Sequence, residues 1–254
     1  MKSKFVSKKF LNNYTMQTSN GIESIRFYND EYCLKFLKKD YLTNDRKEII
    51  YKLCELNHEN AVTPEFLLHD KTGLLGYAMI NYRDYTFIGD EVENKLFKID
   101  LEAFNKRKQL MIKLSKLFDY FNINDFAYYD IHDRNILYKD NDIKLIDLDG
   151  GIFKGYKNHE LDFESAKRFS SQKLALYTLS FIYNVNQYNF SKYLGSPIGF
   201  NNRQIMIDSL PKNLKEFFTY ALSNKYNIFD NTTNCLEELD ENIYLESIKI
   251  LKKY

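Results

Sequence analysis

Short apolar runs broken by turn residues open the chain, and longer helical stripes close it. Tyr14 to Thr18, Ser24 to Tyr28 and Glu31 to Leu37 read as three strands, separated by Ser19-Asn20-Gly21 and Asn29-Asp30. Residues 43 to 56 change period: Thr43-Asn44-Asp45 is a helix start, and Ile49, Ile50, Leu53 and Leu56 form one apolar stripe. Two more strands, Glu65 to Leu68 and Leu74 to Ile80, flank the turn His69-Asp70-Lys71-Thr72-Gly73. From 101 to 121, Phe104, Met111, Leu114, Phe118 and Phe121 recur at helical spacing and predict a long buried helix. A hairpin follows, Ile136-Leu137-Tyr138 and Ile143-Lys144-Leu145-Ile146 about an Asp140-Asn141-Asp142 turn. Leu174 to Val185 is apolar nearly all round and predicts a central helix. Leu214, Phe217, Phe218, Ala221 and Leu222 form a stripe after Pro211, and Leu236 to Lys253 predicts a last helix, acidic at its start and basic at its end.

The pattern is that of an α+β protein, and the composition narrows its role. With 254 residues, 44% of them hydrophobic, the chain can build one large domain or two small lobes about a cleft. Thirty-six basic residues against 35 acidic leave a net charge of +1, which argues against a general nucleic-acid or membrane-surface role. The basic N-terminus has no apolar stretch behind it and does not read as a secretory signal, and Leu174 to Val185 is too short to cross a bilayer. A cytoplasmic monomer is the expectation. Cys33, Cys54 and Cys235 lack the close pairs of a zinc site or disulfide framework and read as reduced thiols. Nine glycines, three prolines and no repeats suit a compact unit.

Candidate chemistry is concentrated between Tyr128 and Gly150. Asp130 and Asn135 stand five apart in a segment too polar for a core element, and the second hairpin strand delivers Asp147 to the point where the chain leaves the sheet, beside Asp149, Gly150 and Gly151. A carboxylate, an amide oxygen and a second carboxylate are thereby presented together. Such a set suits phosphoryl transfer, which needs positioning and charge compensation more than covalent chemistry. Asp130 would accept or orient the proton of an attacking hydroxyl, while Asn135 and Asp147 offer hard oxygen ligands for Mg2+. Asp149 is the alternative to Asp147.

This segment resembles the catalytic and magnesium loops of the protein-kinase-like superfamily, H-R-D-x-x-x-x-N and D-F-G. Tyr128 and Tyr129 replace the His and Arg, Asp147-Leu148-Asp149-Gly150 replaces D-F-G, and His132 is similar to the small-molecule kinases of the aminoglycoside and choline kinase type. The resemblance implies a bilobal fold: an N-lobe over residues 1–81, with a small antiparallel sheet and one helix, and a mainly helical C-lobe over residues 82–254. It implies ATP and Mg2+ as cofactors. Lys35, mid-strand in Tyr-Cys-Leu-Lys-Phe-Leu, would hold the phosphates, with Glu48, or Glu55 in its place, orienting it. Asn20 and Gly21 would form the turn over the phosphates, although the three-glycine pattern is absent. Met79 would pack against the adenine, and Asn81-Tyr82-Arg83-Asp84 would be the hinge that binds it.

The acceptor is expected to be a protein Ser/Thr hydroxyl, with a small-molecule hydroxyl as the alternative. Only 48 residues separate Tyr82 from Asp130, which favours a protein Ser/Thr acceptor, whereas His132 favours a small molecule. A polar stretch of about twenty residues follows Gly151, where an activation segment would lie, but it lacks an Ala-Pro-Glu anchor. Two other readings share these residues: a nucleotide-binding pseudokinase scaffold, and transfer of the nucleotide in place of the phosphate.

Overall fold

A computed structural model describes residues 2–17, 21–90, 100–157, 161–183, 208–221 and 230–251. Asn20, Leu222, and the expected helix ends at Val185 and Lys253 lie outside the described residues.

The structure is α+β. A six-stranded sheet is built from β1 (Ser3–Phe5), β2 (Thr15–Met16), β3 (Ser24–Tyr28), β4 (Tyr32–Leu37), β5 (Phe66–Asp70) and β6 (Gly73–Ile80), in the order β1-β5-β6-β4-β3-β2. The sheet is mixed where an antiparallel one was expected. Its first strand pairs in parallel with β5, Lys4 opposite Leu68, and this strand was not predicted from the pattern.

Alternation along β4 sends its side chains to two covered faces. On one face Leu34 packs with Phe66, Leu68 and Ala78 beneath Val6, Phe10, Leu11 and Tyr14, so the N-terminal segment and its short helix α1 (Lys8–Leu11) form a lid over the sheet. On the other face Leu37 joins Val62, Leu67, Leu74, Tyr77 and Met79 against Ile50 of α2 (Asn44–Leu53). Lys35 shares that second face and is 3% exposed.

Helix α2 starts at Thr43, whose hydroxyl accepts from the Arg46 N–H, and it buries Arg46, Ile49, Ile50 and Leu53. The chain then binds across to the later part of the molecule: Val62 N–H donates to the Leu145 carbonyl at 2.9 Å, and the Asn60 amide donates to the Ile143 carbonyl at 2.8 Å.

The rest is dominated by α3 (Leu101–Ile123), capped by Asp100, whose carboxylate accepts from the Ala103 N–H at 2.7 Å. Beside it lie two small sheets: β7 (Thr86–Phe87) with the hairpin β9 (Ile136–Lys139) and β10 (Asp142–Leu145), and β8 (Phe126–Ala127) with β11 (Ile152–Phe153). The hairpin turns at Asp140, which has φ 55°, a left-handed conformation that Asp tolerates. Helices α4 (Phe163–Tyr183), α5 (Lys212–Ala221), α6 (Asp230–Glu238) and α7 (Glu241–Leu251) complete the described chain. One large core joins Phe104, Leu114 and Phe118 of α3 to Ile136 and Leu145 of the hairpin and to Leu174 and Ile182 of α4.

The second half of the expected polar stretch after Gly151 is helix. Helix α4 begins at Phe163, where the Asp162 carboxylate caps it by accepting from the Ser165 N–H at 2.7 Å. Glu164, Lys167, Arg168 and Lys173 are good helix formers, while Phe163, Ala166 and Ser170 are buried, which is the pattern of an amphipathic first half of a long helix. No helix among the described residues is long and apolar enough to cross a membrane.

Candidate active site

The site is assembled from one row of the large sheet and two loops of the helical part. Across β3, β4 and β6 the register sets Arg26 opposite Lys35 and Lys35 opposite Tyr77. Two cations directly opposite one another repel in an antiparallel pair, so the row needs anions facing it. Asp147 and Asp149 supply them. Strand β10 ends at Leu145, and Asp147 adopts φ 64° and ψ 34° as the chain turns into a 3-10 turn over Leu148–Gly150. A left-handed conformation costs an L-residue energy and is kept where the surrounding contacts demand it. Here it puts both carboxylates toward the sheet.

Asp149 is fully buried. One of its oxygens accepts from Lys35 Nζ at 2.6 Å and from the Tyr77 hydroxyl at 2.7 Å, and the other accepts from Arg46 at 2.8 and 3.2 Å. Burial alone would raise its pKa, but the charges of Lys35 and Arg46 outweigh it and hold the carboxyl well below the usual carboxylate range. Burial and then the Asp149 carboxylate push the Tyr77 phenol far up, so it stays protonated and donates. Asp147 is a quarter exposed, accepting from Lys35 at 2.7 Å and, at both oxygens, from one Arg26 nitrogen at 3.0 and 2.9 Å. Arg46 also pairs with Glu23 at 3.1 Å.

Arg26, Lys35, Arg46 and Asp147 line a cleft of about 350 Å3 together with Gly21 and Asp130. Asp130 is half-exposed in it. His132 Nδ1 accepts from the Arg134 N–H at 3.2 Å, which leaves Nε2 carrying the ring proton, and Nε2 lies 3.6 Å from an Asp130 oxygen. The adjacent His132 ring lowers the Asp130 pKa against the opposing effect of burial, so the carboxyl is ionised at neutral pH.

Behind it, the Asn135 amide nitrogen donates to the Asp130 carbonyl at 3.0 Å, to its carboxylate at 3.2 Å and to the Tyr128 hydroxyl at 2.9 Å. Tyr128 is fully buried, with its hydroxyl within 3.1 Å of the Asp130 carbonyl and 3.3 Å of the Ile146 carbonyl. It therefore ties the Asp130 loop to the strand end that carries Asp147. The Ser170 hydroxyl donates to the Tyr128 carbonyl at 2.6 Å, and the Tyr177 hydroxyl donates to Asp133 at 2.8 Å, which fix the loop on α4.

Of the expected site residues, Gly21, Lys35, Asp130 and Asp147 meet at the cleft, with Asn135 packed against Asp130. Between the two candidate metal carboxylates the structure separates the roles. Asp149 is enclosed by Lys35, Arg46 and Tyr77, whereas Asp147 faces the cleft.

Three expectations change. Glu48 is exposed and does not pair with Lys35, because it lies roughly 200° around the helix from Arg46, whose face is the one turned to the sheet. Glu55 is exposed beyond the helix end. Lys35 takes Asp147 and Asp149 as its partners, and α2 contributes a cation, Arg46, to the same network. Asn81 gives its N–H to the Glu31 carbonyl at 2.9 Å and its side-chain amide to the Asn29 carbonyl, so that N–H serves the turn and is not a donor for a base. Met79 is buried in the cluster of Leu37, Ile50 and Tyr77 beneath the sheet.

Arg26, Arg46, Tyr77 and Tyr128 were not anticipated. Arg46 left a signal, since it precedes Ile49 and Ile50 by three and four positions and Leu53 by seven, which places it on the apolar stripe. In comparisons with known proteins, no family model matches this chain and no curated protein matches it.

Among the described residues no group of three or more His, Cys, Asp or Glu side chains is placed to hold a metal by itself. A cleft carboxylate beside an amide fits Mg2+, which completes its shell with water and phosphate oxygens. The Asn135 carbonyl oxygen takes no part in the three bonds made by its nitrogen, and the cleft-facing Asp147 oxygens are held by cations that an anionic ligand could draw away.

Proposed function

We propose that the protein is an ATP- and Mg2+-dependent phosphotransferase of the protein-kinase-like superfamily, bilobal with its lobe boundary at residues 81–82, and that its acceptor is the hydroxyl of a small molecule. The observation that carries this reading is the convergence of Lys35, Asp147 and Asp130 on one cleft from three separate elements, with Asn135 packed behind Asp130. Lys35 and Arg26 face the phosphates, Asn135 and Asp147 hold the metal, and Asp130 receives or orients the proton of the acceptor hydroxyl. Mg2+, when bound, neutralises and aligns the phosphate oxygens. Lys35 is already held in place by Asp149, which performs the orienting task expected of Glu48.

The acceptor reading follows from α4. Only nine residues, 154–162, join β11 to that helix, which leaves little chain for a platform along which a protein segment could lie. That observation outweighs the hinge-to-loop spacing and agrees with His132 beside Asp130.

Incubation with ATP labelled at the γ-phosphate, Mg2+ and a metabolite extract should put label into the small-molecule fraction. Label confined to protein would reverse the acceptor, and ATP binding without transfer to either fraction would favour the nucleotide-binding scaffold.

A further inference from the structure

The three cations of the site are not equally committed. Lys35 and Arg46 are each bound to Asp149, which is fully buried, and both are themselves nearly inaccessible. Arg26 is a quarter exposed, lines the cleft, and has Asp147 alone as its carboxylate partner among the described residues. One of its nitrogens lies across both Asp147 oxygens, at 3.0 and 2.9 Å, and Lys35 takes a further position on Oδ1. The carboxylate that faces the cleft is thus covered by cations.

We propose that Arg26 is a positioning residue that gates the metal: without nucleotide its guanidinium occupies the Asp147 oxygens a divalent cation needs, and polyphosphate draws it away. The proposal rests on the phosphotransferase reading and deepens it. A guanidinium and a divalent cation compete for the same lone pairs and repel one another, so metal alone binds poorly. Displacing Arg26 leaves a partly buried charge without a counter-ion, which is costly unless another anion replaces the carboxylate. Phosphate oxygens are suited to that place, because guanidinium bonds to them readily. Metal and nucleotide therefore favour each other's binding, and the coupling is reciprocal. The cross-strand pairing with Lys35 keeps the released side chain beside the cation that already faces the cleft.

The test is binding of Mn2+, followed by the electron paramagnetic resonance signal of the free ion, with and without the non-hydrolysable analogue adenylyl imidodiphosphate. Two neutral variants, Arg26→Gln and Arg26→Met, guard against a folding defect in either one, and thermal unfolding checks both. Each should bind Mn2+ alone at least roughly tenfold more tightly than wild type, the scale of one charge-assisted bond, and should lose most of the coupling between Mn2+ and the analogue. Arg26→Lys keeps the charge and should stay within about threefold of wild type. If the neutral variants bind Mn2+ as wild type does while Asp147→Asn abolishes binding, Arg26 is not the gate and the phosphotransferase reading stands. If wild type binds neither the analogue nor Mn2+ in its presence, both readings fall.

Discussion

Asp149 is the anion on which the charge network closes, although Asp147 is the one that faces the cleft. Removing one partner of a buried ion pair strands the others, at a cost of about 3–5 kcal/mol. Asp149→Asn should therefore lower the urea unfolding free energy by about that amount, with Lys35 and Arg46 left under-compensated. Its folded pKa lies below the ordinary carboxylate value. Between those two values the unfolded chain binds a proton that the folded chain refuses, so stability rises with pH there. The contribution of Asp149 is complete above pH about 4 and is lost as the pH falls below it, and the variant should lack this acid-side slope. Asp130 is a different case, being half-exposed and carrying no structural charge pair of that kind. Asp130→Ala should leave stability and ATP affinity near wild type while single-turnover transfer falls by about two orders of magnitude, the scale of a positioned general base. Equal transfer by the two proteins would remove Asp130 from the mechanism.

At the scale of elements, the position of Lys35 depends on how closely β6 approaches β4. Gly76 stands opposite Phe36, and a Cβ added to it would lie 2.0 Å from the Lys35 carbonyl oxygen, a distance no side chain tolerates. Gly76→Ala must push the strands apart at the row that holds Lys35 and Tyr77. It should lower the thermal midpoint, and in the folded fraction it should weaken ATP binding, read by titration calorimetry; ATP affinity unchanged from wild type would show that the row tolerates the shift. Helix α2 is held on the site from its other side as well. Lys52 lies over the rings of Phe153 and Tyr156 at 5.4 and 5.1 Å, and the Lys157 N–H donates to Asp45 at 3.3 Å, so the chain leaving β11 is pinned to the helix that carries Arg46.

For the molecule as a whole, ligand binding and stability are linked. A ligand that binds only the folded chain adds RT ln(1 + [L]/Kd), about 2.7 kcal/mol at one hundred times Kd. ATP with Mg2+ should raise the thermal midpoint more than ATP alone. Asp147→Asn should erase the magnesium-dependent part of that rise, and a full magnesium response in the variant would move the metal away from Asp147. The protein should gain from both parts of the chain closing on one ligand, because the cleft takes Arg26 and Lys35 from the large sheet, Gly21 from the segment leading into β3, and Asp130 and Asp147 from the loops beyond.

Local order was legible because hydrophobic period and turn chemistry are local properties. The strands at 24–28 and 74–80, the Thr43 cap, the helix from 101 and the hairpin about Asp140 follow from them. Asp130, Asn135 and Asp147 were legible as a motif, since their spacing along the chain is short. The pairing of charges was not, because it is a matter of register and helix rotation. That Arg26, Lys35 and Tyr77 form one row depends on which residues face each other across β3, β4 and β6, and a slip of one position would turn each side chain to the other face. That Lys35 meets Asp149, with Glu48 in solvent and Arg46 inside, depends on the angle at which α2 seats its stripe on the sheet. Likewise the parallel strand β1 and the covering segment at 6–14 have too little apolar periodicity of their own to be seen, and they exist because the outer face of the sheet, with Leu34, Phe66 and Leu68, would otherwise stand in water.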